Sequence, residues 1–583
     1  SLSGVMRPLE PKKLLWYKRD IEIPADWAGK RVIINFGGVD YSASLYVNGT
    51  ASKDLVGTHT GGFTAFSFDI TDYITDGHAT LYVKVRDNTT DTAQALGKQR
   101  RYPDGGGSIW YTAVSGIWQT VWLEPVEATH IESMRATPDV DNSTLTFDLA
   151  LSGTPSGNVT VTLSDNGSIV ASQTVDAAAA THVEMQLAAP RLWSPADPHL
   201  YDVEVTLADG DRTLDSFTSY AAMRKISYRK AEDGSWRFRL NDQDLYQFGP
   251  LDQGYWPDGL YTAPTDEALV YDLEKTKDWG FNMVRKHMKT EPARWYYHCD
   301  RLGLMVWQDM PSQFSNHEGW NPENMYEDHT CTQNRVIEKA YRAEWEEIIN
   351  QLYSYPSIVV WTPFNEAWGQ FKTAEIAEWT RELDPTRLVN PASGGNHFKC
   401  GEGTFVDQHC YDQPLRVFEG IFDANRPFVI GEYGGLGRNI SGNRWYERNA
   451  QTYNTFTSEK AITDAYVRLT DQLTDMATGY KSGSNTINWC AAVYTQTTDV
   501  ETEVNGIMTY DREKVKLNEA RIREAADKLT SVYGEYNGIE GVEAEKADGP
   551  DEYFNIMGMR LSAPVEGINI VRHADGTTEK IIK

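Results

Sequence analysis

Glu366 lies in a segment whose residue types suit proton transfer to a sugar. A short apolar run ending at Trp361 predicts a buried parallel strand, and Pro363 predicts where that strand ends. Asn365 and Glu366 follow directly, and Trp368 comes shortly after. The amide can hold a sugar hydroxyl, the carboxyl group can donate a proton, and the two indoles offer apolar faces to sugar rings. Taken alone, the segment fits an ordinary strand end with a solvated glutamate about equally well.

A second segment of the same kind contains Glu432, after the apolar run Phe428-Val429-Ile430. Two carboxyl groups can cleave a glycosidic bond when one protonates the leaving oxygen and the other attacks the anomeric carbon or activates water. We expect Glu366 to be the acid, with a pKa raised by dry, indole-lined surroundings. We expect Glu432 to be the nucleophile, with Arg285 and Tyr433 holding its charge. A separation of about 5–5.5 Å would indicate retention of configuration, and about 6.5–9.5 Å would indicate inversion.

Other polar or aromatic residues near predicted strand ends are candidates for substrate contacts. They are Asn365, Arg285, His287, Asp309, His409, Tyr433, Trp368 and Gln496. Either histidine could instead be a hydrogen-bonded residue of the strand end. Two histidines with Asp309 and Asp407 lack the spacing of a metal site, so we predict no metal and no cofactor. Nucleophilic serine catalysis is disfavoured because no Gly-X-Ser-X-Gly segment occurs.

These residues need a scaffold that gathers several strand ends at one face. From about residue 227, eight strand-like runs alternate with helical segments, which predicts a TIM barrel over residues 227–534. One helix is expected to begin near Thr265, and another to cover Glu338 to Leu352. The predicted strands are Leu245–Gly249, Phe281–Arg285, Leu304–Trp307, Ile358–Trp361, Arg387–Asn390, Phe405–Gln408, Phe428–Gly431 and Cys490–Tyr494.

Two β-rich units precede the predicted barrel, and a short one follows it. Residues 1–125 contain short, regularly spaced strands that predict a jelly-roll β-sandwich. Residues 126–226 alternate apolar and polar side chains without helical periodicity, which predicts an immunoglobulin-like sandwich. Residues 535–583 begin with an acidic stretch that predicts either disorder or a link to a small C-terminal hairpin with a turn at Asp575-Gly576.

Composition excludes several classes of partner. The net charge is −28 without a basic cluster, so nucleic acid and anionic membranes are poor partners. No apolar run is long enough for a membrane-spanning helix. The 18 Trp, 31 Tyr and 19 Phe suit carbohydrate surfaces or additional aromatic core. Five scattered cysteines, an odd number, predict no disulfide framework.

The sequence resembles glycoside hydrolase family 2, the family of β-galactosidases, β-glucuronidases and β-mannosidases. The resemblance rests on Gly61-Gly62-Phe63-Thr64-Ala65-Phe66, Ser115-Gly116-Ile117-Trp118-Gln119-Thr120-Val121-Trp122, Asn365-Glu366 and Gly431-Glu432-Tyr433. It implies a retaining, exo-acting mechanism through a glycosyl-enzyme intermediate, with Glu366 as acid/base and Glu432 as nucleophile. Since the jelly roll of this family usually begins earlier, we expect its opening segment to be missing here.

The resemblance leaves the sugar open. No Asn-X-Lys triplet, which holds the uronate in β-glucuronidases of the family, follows Glu432. We therefore expect a terminal neutral sugar, with β-galactoside first and β-mannoside or β-glucuronide as alternatives. The expected partner is an oligosaccharide or glycoconjugate; a homo-oligomer and a non-catalytic carbohydrate-binding protein both stay open. The C-terminal stretch resembles tails of secreted bacterial proteins, which predicts a periplasmic or secreted location.

Overall fold

The structure is a computed structural model. It describes residues 8–89, 93–100, 109–312, 335–395, 400–445, 450 and 452–534, together with short stretches of residues 552–582.

The N-terminal unit is a β-sandwich, as the sequence predicts. One sheet has the order β1-β7-β4-β5 and the other β11-β2-β6, and their alternating apolar residues meet in a shared core. The strands are β1 (Leu15–Glu22), β2 (Arg31–Phe36), β3 (Val39–Asp40), β4 (Ser42–Val47), β5 (Leu55–Thr60), β6 (Phe66–Asp69), β7 (His78–Arg86), β8 (Gln99–Arg100), β9 (Tyr111–Thr112), β10 (Gly116–Ile117) and β11 (Val121–Val126).

The second unit is also a two-sheet sandwich, with sheet orders β12-β13-β16 and β15-β14-β17-β18. The period-two alternation read from the sequence places Leu145, Phe147 and Leu149 in its core. Its strands are β12 (Ile131–Asp139), β13 (Thr144–Leu151), β14 (Asn158–Asp165), β15 (Ser168–Asp176), β16 (Ala180–Gln186), β17 (Tyr201–Asp209) and β18 (Arg212–Ala221).

Eight parallel strands then form the sheet that carries the predicted site. Their order, β26-β25-β24-β23-β22-β33-β28-β27, is that of a barrel, and a bridge links Val389 of β26 to Thr404, two residues before β27. All eight predicted strands are confirmed, each within a few residues of its expected bounds. They are preceded by a small antiparallel sheet of β19 (Ile226–Lys230), β20 (Trp236–Leu240) and β21 (Gln243–Asp244). The barrel strands are β22 (Gln247–Asp252), β23 (Met283–Lys286), β24 (Met305–Asp309), β25 (Ile358–Thr362), β26 (Leu388–Val389), β27 (Val406–Cys410), β28 (Phe428–Gly434) and β33 (Ala491–Thr495).

Helices follow several of these strands and pack on the outside of the sheet. Thr265 caps the first helix by accepting a hydrogen bond from Ala268 N, as its position in the sequence predicts. The helices are α1 (Asp266–Asp278), α2 (Ala293–Leu302), α3 (Arg335–Leu352), α4 (Thr373–Leu383), α5 (Glu459–Ala477) and α6 (Glu519–Thr530). Short paired strands between them are β29 (Leu436–Gly437) with β30 (Asn454–Thr455), and β31 (Tyr480–Ser482) with β32 (Asn485–Ile487).

The apolar core inside the barrel lies at the end opposite the predicted site. Phe238 of the small antiparallel sheet packs edge-on against Trp307 and Phe405, with ring centroids 6.4 and 5.3 Å apart. This packing fills the amino ends of the strands and leaves the carboxyl ends for polar side chains.

The C-terminal residues form a separate four-stranded antiparallel sheet of order β35-β34-β36-β37. The predicted hairpin corresponds to β36 (Ile568–Arg572) and β37 (Thr578–Ile582), joined by β34 (Glu552–Asn555) and β35 (Arg560–Leu561). The predicted turn at Asp575-Gly576 and the acidic stretch before β34 lie outside the described residues. Four described cysteines, Cys299, Cys400, Cys410 and Cys490, are free thiols, and Cys331 is not among the described residues. None of the described helices has the length and apolar character to cross a membrane.

Candidate active site

Glu366 lies at the carboxyl end of the fourth barrel strand. β25 ends at Thr362, one residue before Pro363, as the sequence predicts. Glu366 has a φ of +48°, an uncommon backbone conformation for a residue with a side chain. Its amide donates to Ser393 O at 2.8 Å, which fixes the turn. The side chain is 23% exposed at the barrel mouth. Such a strained backbone is more frequent at functional sites than elsewhere.

Glu432 lies in the seventh strand, β28, and is almost fully buried. Arg285 reaches it from β23, with Nη1 3.4 Å from Glu432 Oε1. The same guanidinium donates to both carboxylate oxygens of Asp309, at 3.1 and 2.8 Å, and to Asn365 Oδ1 at 2.8 Å. Asp309 is thereby placed as a partner of Arg285. The structure thus brings four predicted residues, from strands two, three, four and seven, into one hydrogen-bonded group.

The two glutamates face each other through His409. Glu366, His409 and Glu432 each offer one atom to a cluster in which these atoms lie within 4.8 Å of one another. His409 Nδ1 is 2.9 Å from Glu366 Oε1 and 3.5 Å from Glu432 Oε2. This geometry would also suit a metal ion, but a histidine between two carboxylates equally well shares a proton with them.

The other nitrogen of His409 is held by a serine. Ser393 donates its hydroxyl hydrogen to Asp407 Oδ2 at 2.5 Å, and its oxygen lies 2.9 Å from His409 Nε2. Because the single hydroxyl hydrogen of Ser393 goes to Asp407, the Ser393 oxygen must accept a hydrogen bond from His409 Nε2–H. The hydrogen of a neutral His409 is therefore on Nε2, and Nδ1 is the atom that shares a proton with Glu366.

The structure contradicts the predicted order of the two carboxyl pKa values. Burial favours a raised pKa for Glu366, but the hydrogen bond and charge of His409, with the charge of Lys98, hold it below its ordinary value. Burial and the charge of Glu366 raise the pKa of Glu432, against the opposing effects of His409 and Arg285. Burial would lower the pKa of His409, but Glu432 and Glu366 together raise it. The order differs from the expected one because His409 favours the ionised form of Glu366.

Tyr433 was predicted to hold the charge of Glu432, and this is wrong. Side chains alternate along a strand, so Tyr433 points to the opposite face, where it packs against Phe248 and Tyr494 in the outer core. The hydroxyl that reaches Glu432 belongs to Tyr411, which donates to Oε2 at 2.5 Å. Tyr411 could have been found in the sequence, because it stands two residues after His409 and so on the same face of the chain.

Trp361 was expected to line the site, and this is also wrong. Its indole is fully buried on the helical side of β25, where Nε1 donates to Asp384 at 2.9 Å and the ring packs edge-on against Trp345. Trp368, which lies beyond the strand, does reach the cavity beside Glu366. Its ring centroid is 4.6 Å from that of Trp110, a residue of the N-terminal unit.

His287 and Gln496 belong to one chain of hydrogen bonds. Gln253 donates to Gln496 Oε1 at 2.8 Å, and its own oxygen lies 2.9 Å from His287 Nδ1. Nδ1 therefore carries the hydrogen, and Nε2 faces Glu432 at 3.6 Å. Burial, with the charges of Arg285 and Lys98, lowers the pKa of His287 well below its usual value, so the ring is neutral and can accept a hydrogen bond.

The cavity has a wall that the sequence did not predict. Lys98 and Ile109 of the N-terminal unit line it together with residues of the barrel. The barrel residues are Leu251, Gln253, His287, Glu366, Trp368, Tyr411, Glu432, Tyr453, Thr495 and Glu503. Within this site the buried Nδ2 of Asn365 finds no hydrogen-bond partner among the described residues, so it can donate to a sugar hydroxyl.

Three family models match consecutive parts of the chain. The "Glycosyl hydrolases family 2, sugar binding domain" matches residues 7–124, "Glycosyl hydrolases family 2" matches residues 129–224, and "Glycosyl hydrolases family 2, TIM barrel domain" matches residues 262–527. The barrel match contains Arg285, Glu366 and Glu432.

Individual relatives and solved structures are 18–27% identical to the chain over the aligned residues. A Formosa agariphila protein named "Putative beta-glucuronidase" is 27% identical over 65% of this chain and 34% of its own length. A β-galactosidase of Thermoanaerobacter pseudethanolicus is 25% identical over 83% of this chain and 60% of its own length, so the chain spans only part of either relative. The solved structure of Bifidobacterium dentium β-glucuronidase has the same fold, with a TM-score of 0.65 and 18% identity over 88% of both chains. The family predicted from the sequence is confirmed, and the chain belongs to glycosyl hydrolase family 2.

Proposed function

We propose that the protein is a retaining, exo-acting β-glycosidase. The observation that carries this proposal is the close pair of carboxylates at the barrel mouth, whose nearest oxygens lie within 4.8 Å of each other. That spacing fits a nucleophile and an acid/base that act on the same anomeric carbon, and it leaves no room for a water between carboxylate and sugar. Their different partners support different roles for the two groups.

Glu432 has the surroundings of a nucleophile. Arg285 and Tyr411 contact its two oxygens, at 3.4 and 2.5 Å, and thereby fix the carboxylate plane. Arg285 and Tyr411 both favour the ionised form of Glu432, whereas burial of the carboxyl group disfavours it. A buried carboxylate that is oriented in this way can attack without first losing a shell of water.

Glu366 has the surroundings of an acid/base that exchanges a proton with a neighbour. The hydrogen bonds of Ser393 and Asp407 place the shared proton between His409 Nδ1 and Glu366 Oε1, which are 2.9 Å apart. Transfer of that proton to Glu366 produces the carboxylic acid and leaves His409 neutral. His409 is then a positioning residue that supplies the proton to the acid.

The reaction follows from these assignments. One oxygen of Glu432 bonds to the anomeric carbon while the bond from that carbon to the leaving oxygen breaks, and the leaving oxygen takes the proton of Glu366. Glu366, now a carboxylate, removes a proton from a water that attacks the same carbon. The bond to Glu432 breaks, and the sugar leaves with its original anomeric configuration.

The identity of the sugar rests on weaker support. A terminal β-galactoside is the first candidate, since one of the relatives reported above is a β-galactosidase and no Asn-X-Lys triplet follows Glu432. A β-uronide is the second candidate, favoured by the presence of Lys98 in the cavity wall. We expect an exported protein, in keeping with extracellular glycoconjugates as substrates.

The test is the substitution of the nucleophile. We expect Glu432→Gln to abolish turnover of aryl β-glycosides, by about 10³-fold or more, with an unchanged melting temperature. Glu346→Gln, on the exposed face of α3, is the matched control and should keep full activity. NMR of the first product of the wild-type protein should show the β-anomer. Substantial activity of Glu432→Gln would disprove the assignment, and binding without hydrolysis by the wild type would favour a non-catalytic carbohydrate-binding protein.

A further inference from the structure

Lys98 enters the catalytic cavity from the N-terminal unit. Its neighbour Gln99 anchors the segment, donating to Asp40 Oδ2 at 2.9 Å and accepting from Val114 N at 2.6 Å. On the other side, Gly97 is pressed against the barrel: its φ is +56°, and a Cβ at this position would lie 2.3 Å from Met288 O. The backbone of Lys98 is therefore held between two domains, and only the side chain is left to face the cavity.

The ammonium group of Lys98 is enclosed by aromatic rings. Nζ lies 5.4, 5.3 and 5.5 Å from the ring centroids of Trp110, Tyr111 and Trp368. The residue is only 4% exposed. These rings replace part of the hydration of the ammonium group, because the faces of aromatic rings are electronegative. Lys98 and Trp368 line the same cavity as Glu366 and Glu432.

Lys98 differs from the other buried lysines of the described chain. Lys286 donates to Asp252 and Glu291 at 2.5 and 2.8 Å, and Lys289 to Glu291 at 2.9 Å. Lys516 likewise donates to Asp499 at 2.5 Å. For Lys98, in contrast, the described residues supply neither a hydrogen bond nor an ion pair to Nζ. A buried ammonium without a carboxylate partner is costly unless a ligand provides one.

We propose that Lys98 binds a carboxylate of the substrate, so that the site takes β-linked uronic acids. This inference rests on the proposed glycosidase function and puts a β-uronide in place of the neutral β-galactoside as its first candidate sugar, because Lys98 lines the catalytic cavity of this chain. Glu366 and Glu432 repel an acidic sugar, so its binding needs a cation that forms no ion pair with either of them. Arg285 is occupied by Asp309 and Glu432. Lys98 is the cation of the described cavity wall that is still available.

The test compares acidic and neutral sugars of the same stereochemistry. We measure kcat/KM for aryl β-glucuronide against β-glucoside, and for aryl β-galacturonide against β-galactoside. The wild type should prefer a uronide in at least one pair. Lys98→Met should lower that preference about 10- to 100-fold, which is the contribution of a hydrogen bond between charged groups. Lys98→Arg should restore part of it.

A matched control separates recognition from packing. Lys84 is another lysine of the N-terminal unit, with Nζ 5.3 Å from the ring centroid of Tyr46, and it lies outside the cavity. Lys84→Met should therefore leave kcat/KM unchanged on both the acidic and the neutral sugars. A wild type that hydrolyses only the neutral sugars would overturn the proposal. So would an equal loss on all four substrates in Lys98→Met, since that would mean that Lys98 acts only through Glu366.

The proposal can be tested even if the protein hydrolyses none of these substrates. Glucuronate and galacturonate are titrated into the wild-type chain and into Lys98→Met, and binding is followed by calorimetry. Binding of either uronate that is lost in Lys98→Met would support the role of Lys98 although the proposed glycosidase function had failed. Equal binding by the two proteins, or no uronate binding by the wild type, would overturn it.

Discussion

The hydroxyl of Tyr411 is expected to set the pH at which the nucleophile ionises. It donates to Glu432 Oε2 at 2.5 Å and favours the ionised carboxylate. The Tyr411 ring stacks on Tyr453, with centroids 3.6 Å apart and planes within 2° of parallel. Tyr411→Phe keeps this stacking, so the substitution removes the hydroxyl and little else.

The size of the effect follows from the type of hydrogen bond. A hydrogen bond to a charged group contributes about 1.5–3 kcal/mol, which corresponds to about 1 to 2 pH units in the pKa of Glu432. Because the bond stabilises the ionised form, its loss raises that pKa. The nucleophile is then protonated at a higher pH, and the acid limb of the kcat/KM profile should move upward by about 1 to 2 pH units. At pH values far above the new pKa, the kcat/KM of Tyr411→Phe should approach that of the wild type.

The assay is the pH dependence of kcat/KM on whichever aryl β-glycoside the wild type turns over best. Tyr433→Phe is the control, because it removes a hydroxyl from the residue adjacent to Glu432 but on the opposite face of β28. Its acid limb should coincide with that of the wild type. An acid limb that moves in Tyr433→Phe and stays in place in Tyr411→Phe would refute the placement of the two side chains around Glu432.

Two further predictions concern glutamates with different tasks. Glu366→Gln should slow hydrolysis of glycosides with poor leaving groups about 10²- to 10⁴-fold, and added azide should restore turnover of an activated aryl glycoside as the glycosyl azide; no rescue would argue against Glu366 as the acid/base. Glu344, buried in α3, accepts from the amides of Gly62 and Phe63, and burial raises its pKa to about 8. Because the folded state binds this proton more tightly than the unfolded state, stability should fall as pH rises from about 4.5 to 8. Glu344→Gln should therefore melt like the wild type at pH 4.5 and be about 1–3 kcal/mol more stable at pH 9, and a difference independent of pH would contradict this.

Much of the scaffold could be predicted because its signals are local. Val359 and Val360 belong to a run that is buried on both faces, and Pro363 ends it within one residue of the observed boundary. Glu432 likewise follows an apolar run, although β28 continues past it to Gly434 instead of ending at Gly431. Since a TIM barrel gathers the carboxyl ends of its strands at one face, the order of strands was enough to place these two glutamates together.

The sequence did not decide which face of a strand points into the site. Trp361 and Trp368 are the same type of residue, as are Tyr433 and Tyr411, so residue type does not tell which of each pair faces the site. Trp361 and Tyr433 pack against helices. Alternation along a strand fixes which residues share a face, but the face that meets the barrel axis is chosen by the packing of distant helices. For the same reason the pKa values of the two glutamates could not be ordered, because the position of His409 between them depends on β27, β25 and β28 together.

By itself, the sequence determined the family, the domain types, the eight strands and the two glutamates, since each depends on residues that are near neighbours in the chain. Only the tertiary structure decided that Tyr411 and His409 tune these glutamates and that Lys98 of another domain closes the cavity. Contacts of this kind join residues far apart in the chain. The contacts of Tyr411 and His409 form when strands of the barrel come together, and those of Lys98 form when two folded domains bury a shared surface. The free energy of that burial leaves no local pattern in the sequence.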